Sequence, residues 1–265
     1  MNLSAEINEL KEYKDILTNK SFWKSYLYYL FFGVFLILIF VILRDKLGFF
    51  NFRYPVEYYW TFFTHSFFHA SWSHILGNLK GYLFLITLNL VIFYRLKIQK
   101  EFKKAFWLIV IITPFISSIT NYFMIGDNIK PMVGSSDIIS ALIGFTLFSI
   151  LFLLKKKDQF NKSFLLLLYF IPLGLIIRFD LSGILATLVL FIPLYLWILF
   201  HTVRYKDINY TRIIVPTIVL MFIVLLTNGM FPVENVINGS LVGKISHLAG
   251  LCYGLLLGYF FNYIK

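Results

Sequence analysis

Eight apolar runs dominate this sequence and leave it one kind of environment in which to fold. They are Tyr26–Leu43, Ile75–Tyr94, Ala105–Met124, Ser136–Leu154, Phe164–Ile177, Leu181–Phe200, Ile213–Leu226 and Leu241–Tyr263, the fifth and seventh being short. A helix of about 20 apolar residues crosses about 30 Å of hydrocarbon. Inside a bilayer only helices and closed barrels satisfy their own backbone polar groups. The stretches between the runs are brief, so the expectation is an all-α, polytopic transmembrane helix bundle of about eight spans. A single membrane domain would occupy residues 24–265, behind a segment 1–23. Composition agrees, with 59% hydrophobic and 14% charged residues, against about 45–50% and about 25% in soluble domains. Cys252 is the lone cysteine, which excludes an intrachain disulfide.

The net charge of +11 has two explanations, a polyanionic partner such as nucleic acid or a membrane topology. Position decides between them. Lys11, Lys14, Lys20 and Lys24 precede the first span, Arg95 to Lys104 follow the second, Lys155 to Lys162 the fourth, Arg204 to Arg212 the sixth, and Lys265 ends the chain. Seventeen of the 24 Lys and Arg therefore lie on one side and six on the other, with Lys80 inside a span. That asymmetry predicts an even number of spans with both termini cytoplasmic; the plasma membrane is the expected location, and no nucleic-acid partner is expected. Within 1–23, Leu3, Ile7, Leu10 and Ile16/Leu17 recur at helical spacing. This reads either as an amphipathic helix on the inner leaflet or as a solvated helix. Glu6, Glu9, Glu12 and Asp15 argue against a cleaved signal peptide.

Polar side chains at membrane depth mark function by default. His65, His69 and His74 precede or begin the second span, and His74 and Asn78, four apart, share a helix face. Gly134-Ser135-Ser136-Asp137 opens the fourth span. His247 lies near the start of the last, followed by Gly250, Gly254 and Gly258 within about 80° of it around the helix. Ser136, Ser140 and Gly144 form a matching stripe of small residues, so close approach of the two helices would bring Ser136 and His247 within hydrogen-bond reach. Each piece has a plainer reading beside it. Ser-Asp is a good helix N-cap, a histidine at a helix end is often interfacial, and Gly-xxx-Gly is commonly packing. The three clustered histidines also suit zinc, but no carboxylate or thiolate lies nearby in sequence to complete the set, so no metal is expected.

Taken together the motifs resemble the rhomboid family of intramembrane serine proteases. His69, His74 and Asn78 match His-x4-His-x3-Asn on the second span, and Gly134, Ser135 and Ser136 match Gly-x-Ser at the start of the fourth. Ser246-His247-Leu-Ala-Gly250 resembles the Ala-His-x-x-Gly context of the general base. The likeness covers about residues 25–155 and 230–263. The chain departs from the pattern at Thr61, where an arginine follows the tryptophan, at Asp137, where a glycine follows the serine, and at Ser140, which aligns with an aromatic in some relatives. Three apolar runs separate the serine and histidine spans where the basic six-helix core has one, so a pair around Phe164–Phe200 is expected as an insertion or as one broken span.

The resemblance implies a Ser136–His247 dyad, with His74 and Asn78 in the oxyanion hole beside the Ser136 backbone N–H. Gly134 and Gly250 would support the site, and His65, His69 and Ser135 would line a path for water. It implies no cofactor, and partners that are transmembrane protein substrates whose helix unwinds at the outer leaflet. The turn-rich loop Asn228–Ser240 would be a mobile gate. Asp137, read as a carboxylate facing the helix dipole and pointing away from Ser136, would tolerate glycine with activity equal or higher. The alternative function is a catalytically inactive relative that binds transmembrane helices. Oligomeric state is not legible.

Overall fold

The computed structural model describes residues 3–52, 56–125, 132–154, 236–237, 240–241 and 243–263, together with isolated positions 185, 189, 192 and 196. The runs Phe164–Ile177, Leu181–Phe200 and Ile213–Leu226, and with them the expected extra pair, lie outside this description apart from those isolated positions. So does most of the loop 228–240, of which Val236–Ile237 pair antiparallel with Ser240–Leu241.

The described elements are α1 (Leu3–Thr18), α2 (Lys20–Leu43), the short α3 (Leu47–Phe50) and α4 (Thr61–Thr64), α5 (Trp72–Arg95), α6 (Gln99–Ile125), α7 (Ser136–Leu154) and α8 (Lys244–Tyr263). Among the described residues four helical stretches are long and apolar enough to cross a membrane, Lys20–Phe50, Trp72–Arg95, Gln99–Met124 and Lys244–Phe261, and Ser136–Ile150 is a shorter apolar helix. The protein is thus a polytopic helical bundle, as the apolar runs require.

Local chemistry sets the helix ends. Asn19 caps α2 by accepting the Ser21 N–H at 2.7 Å, and Ser71 caps α5 by accepting the His74 N–H at 3.2 Å. Lys97 takes φ 58°, Ile98 N–H bonds Phe93 O and Lys97 N–H bonds Tyr94 O, a Schellman turn that reverses the chain into α6. α1 docks at this end, where Arg95 meets the Glu12 carboxylate at 3.8 Å and the Tyr13 hydroxyl.

α7 is the axis of the bundle. Every residue from Asp137 to Ile150 is buried, as expected for a helix that is apolar all round. Its closest neighbour is α8. A Cβ on Gly254 would collide with the Ala141 carbonyl and one on Gly144 with the Leu251 carbonyl, while one on Gly258 would fall 2.7 Å from Phe148 Cβ. Small residues on both faces let the backbones touch, the packing logic of helices in lipid. On the other side Asn89 of α5 donates to Thr146 Oγ1 at 2.6 Å, and Tyr82 ties α5 to α2 through the Tyr29 carbonyl at 2.7 Å.

Candidate active site

The glycine contacts bring the N-terminal ends of α7 and α8 together, and two polar side chains meet there. His247 Nε2 and Ser136 Oγ lie 2.8 Å apart, the half-buried serine beginning α7 and the buried histidine one turn into α8. The backbone leading to Ser136 is bent sharply at Gly134, whose φ of +124° suits only glycine. Space demands the same residue, because a Cβ there would fall 2.6 Å from Cε1 and Nε2 of His74 and 3.6 Å from Asn78 Nδ2. The α5 residues His74 and Asn78 therefore lie over the strand that delivers the serine.

The segment between α2 and α5 holds residues 132–134 on their other side. Phe52 and Met132 exchange backbone hydrogen bonds at 3.1 and 2.9 Å, and Gly134 N–H donates to the His65 carbonyl at 3.0 Å. Asn78 Nδ2 donates to His69 Nε2 at 3.0 Å, Ser135 N–H reaches the same nitrogen at 3.4 Å, and Ser135 Oγ lies 3.2 Å from it. Donors that converge on Nε2 require it to be the unprotonated nitrogen. Burial, with the neighbouring His74 second, lowers the His69 pKa to about 3, so the ring is neutral across the ordinary pH range. Ser135 sits at the helix cap, its carbonyl accepting the Ile139 N–H, but its hydroxyl serves His69 rather than the helix end.

Asp137 does more than face the helix dipole of α7: its side chain is buried among hydrogen-bond donors from two other elements. Its Oδ2 accepts from Ser66 Oγ at 2.6 Å and from Ser117 Oγ at 2.7 Å, with His65 Nε2 3.6 Å away. The opposite nitrogen, His65 Nδ1, lies 3.0 Å from the Thr61 carbonyl, which only accepts, so Nδ1 carries the hydrogen. Burial pushes the His65 pKa below its ordinary value by more than the Asp137 carboxylate and the Thr61 carbonyl raise it.

The remaining expected residues fall around this frame. Gly250 lies against the Asp137 carbonyl, and Ser140 Oγ donates to the Ser136 carbonyl at 2.6 Å. Lys80 is exposed on α5. His65, His69 and His74 serve different partners, and among the described residues no three His, Cys, Asp or Glu side chains converge as a metal set. Sequence reasoning missed Ser66, Ser117, Ser118 and Asn121. Ser118 Oγ bonds the Phe62 carbonyl at 3.0 Å, and Asn121 reaches Ser246, the residue before His247. The available signal was four polar residues within five positions of the third apolar run, Ser117-Ser118-Ile-Thr-Asn121.

Compared with known proteins, the chain matches the family model described as Rhomboid domain over residues 56–192, just over half of its length. No curated protein matches it, and no solved structure does.

Proposed function

The chain belongs to the rhomboid family, and on that premise we propose that it is an intramembrane serine endopeptidase. It cleaves transmembrane protein substrates near the outer membrane face with a Ser136–His247 dyad. The observation that carries this reading is the 2.8 Å approach of His247 Nε2 to Ser136 Oγ, the reach a general base needs.

His247 takes the Ser136 proton as Oγ attacks the scissile carbonyl, then gives it to the leaving amine. The same imidazole activates the water that hydrolyses the acyl-enzyme. The tetrahedral oxyanion forms beside the Ser136 N–H, with His74 and Asn78 supplying side-chain donors from α5. Gly134 keeps that side open, since any side chain there would strike the His74 ring. His69 acts through others: by accepting from Asn78 and from Ser135 N–H it ties the oxyanion side to the strand that carries the nucleophile.

Residues 24–265 form the membrane domain and 1–23 a cytoplasmic accessory segment. With both termini cytoplasmic, the dyad opens toward the outer face of the plasma membrane. The test is cleavage of a model transmembrane substrate in liposomes by wild type, Ser136→Ala and His247→Ala, with fluorophosphonate labelling of Ser136 alongside. Wild type should cleave and label, and neither variant should cleave. A wild type that does neither would make the chain a non-catalytic binder of transmembrane helices.

A further inference from the structure

Peptide hydrolysis by Ser136 and His247 makes no use of the buried carboxylate next to the serine. Asp137 is 2% exposed, and three parts of the fold meet on it. Ser66 comes from the outer segment before α5, Ser117 from α6, and the carboxylate itself from the first turn of α7. The second oxygen, Oδ1, accepts the Ile138 N–H at 2.8 Å. His65 extends the cluster, with Ser66 and Ser117 hydroxyls 3.2 and 3.4 Å from Nε2 and the Thr61 carbonyl on Nδ1. His65 thus has the Thr61 backbone carbonyl at one ring nitrogen and the Asp137 carboxylate near the other.

Such a cluster is costly to bury and costly to break. A carboxylate removed from water is tolerated only when donors surround it, and donors left behind without it lose their partner. Its position matters more than its charge. The backbone of 132–135 is already tied to the same outer segment at Phe52, His65 and His69. Asp137 adds the side-chain tie on the far side of Ser136, so the serine is held from both directions.

We propose that Asp137 is a positioning residue. Its carboxylate, gripped by Ser66 and Ser117 beside His65, locks the first turn of α7 to the outer segment and to α6, and so fixes the aim of Ser136 Oγ and the Ser136 N–H. This rests on the protease reading for its catalytic consequence, but not for the clamp itself. It reverses the expectation that glycine at 137 is harmless.

The test compares wild type, Asp137→Gly, Asp137→Asn and the double variant Ser66→Ala/Ser117→Ala in liposomes. Cleavage is normalised to active sites titrated with a fluorophosphonate, so unfolded protein does not count. Asp137→Gly should lower kcat per titrated site at least tenfold with KM within threefold, and the double serine variant should lower it at least threefold. Asp137→Asn, which keeps an acceptor oxygen, should recover at least threefold over glycine. Values within twofold of wild type for both glycine and the double variant would overturn the proposal, as would asparagine no better than glycine. If glycine prevents folding, the double serine variant decides alone. If the wild type neither cleaves nor labels, the protease reading fails separately, and amide hydrogen exchange decides the clamp. Exchange over 61–69 and 132–138 should then speed at least tenfold in Asp137→Gly relative to 244–263, and unchanged exchange would overturn it.

Discussion

Gly250 of α8 lies so close to the Asp137 carbonyl of α7 that a Cβ on the glycine would fall 2.5 Å from the oxygen. The contact is three residues from His247 and one from Ser136, so the spacing of the two helix backbones there sets the spacing of the dyad. Gly250→Val is expected to force the helices apart, an overpacking cost of ~1–3 kcal/mol. Cleavage should fall at least tenfold, beyond any loss of folded protein. Gly48→Ala is the control, because a Cβ at Gly48 meets nothing within 4 Å. Equal activity in Gly250→Val would show that the helix contact does not govern the dyad.

Acid should destabilise the fold through two imidazoles in the segment between α2 and α5, outside the spans. His69 is held neutral down to about 3 in the folded chain, against an ordinary value of 6.5. Below 6.5 the unfolded chain binds the extra proton, so this stability is fully present above that pH and is lost as the pH falls toward 3. The slope approaches ~1.4 kcal/mol per pH unit for one such group. His65 acts in the same sense, because burial lowers its pKa as well. Thermal unfolding in a neutral detergent should show a falling midpoint from pH 6.5 to 4.5, and a shallower fall in His69→Gln. A flat profile in the wild type would contradict the burial of both rings.

Asn78 has two tasks, which separates it from an ordinary oxyanion donor. On the proposed mechanism its amide faces the developing oxyanion, and in the structure it donates to His69 Nε2. Loss of one oxyanion donor typically costs ~10²–10³ in rate. Asn78→Ala should lower kcat within that range without abolishing cleavage, leaving KM near wild type. A drop confined to KM would assign Asn78 to substrate binding instead.

The fate of Asp137 shows where the sequence stopped being informative. Helix existence followed from apolar length: the fourth run coincides with α7 at Ser136–Leu154, and the second differs from α5 by three residues at one end and one at the other. The facing of His247, the glycines and the Ser136 stripe followed from 3.6-residue periodicity, because all of them sit on regular helices. The partners of Asp137 did not. Ser66 and Ser117 are 71 and 20 positions away, one in a short 3-10 turn before α5 and the other on a neighbouring helix. No periodicity relates such positions. Only the presence of Ser117, Ser118 and Asn121 in an apolar span hinted that something polar lay opposite them.

Polar contacts remote from the dyad should behave as simple helix glue, and Asn89 tests this. Its Nδ2 donates to Thr146 Oγ1 at 2.6 Å and to the Leu85 carbonyl at 2.9 Å, joining α5 to α7. Thr146 spends its own hydrogen on the Leu142 carbonyl at 2.6 Å, so it needs no acceptor from Asn89. Among the described residues Asn89 Oδ1 is buried without a partner, which offsets part of what the bond contributes. Interhelical hydrogen bonds in membranes average ~0.6 kcal/mol. Leucine, close to asparagine in volume, removes the orphaned oxygen along with the donor, so Asn89→Leu should change stability by less than ~1 kcal/mol. Asn89→Ala leaves a void as well and should cost about 2 kcal/mol. Both variants should keep wild-type cleavage per titrated site. Reversible unfolding in mixed micelles reads the stabilities, and a cost for leucine as large as for alanine would show that the bond, not the packing, holds α5 to α7.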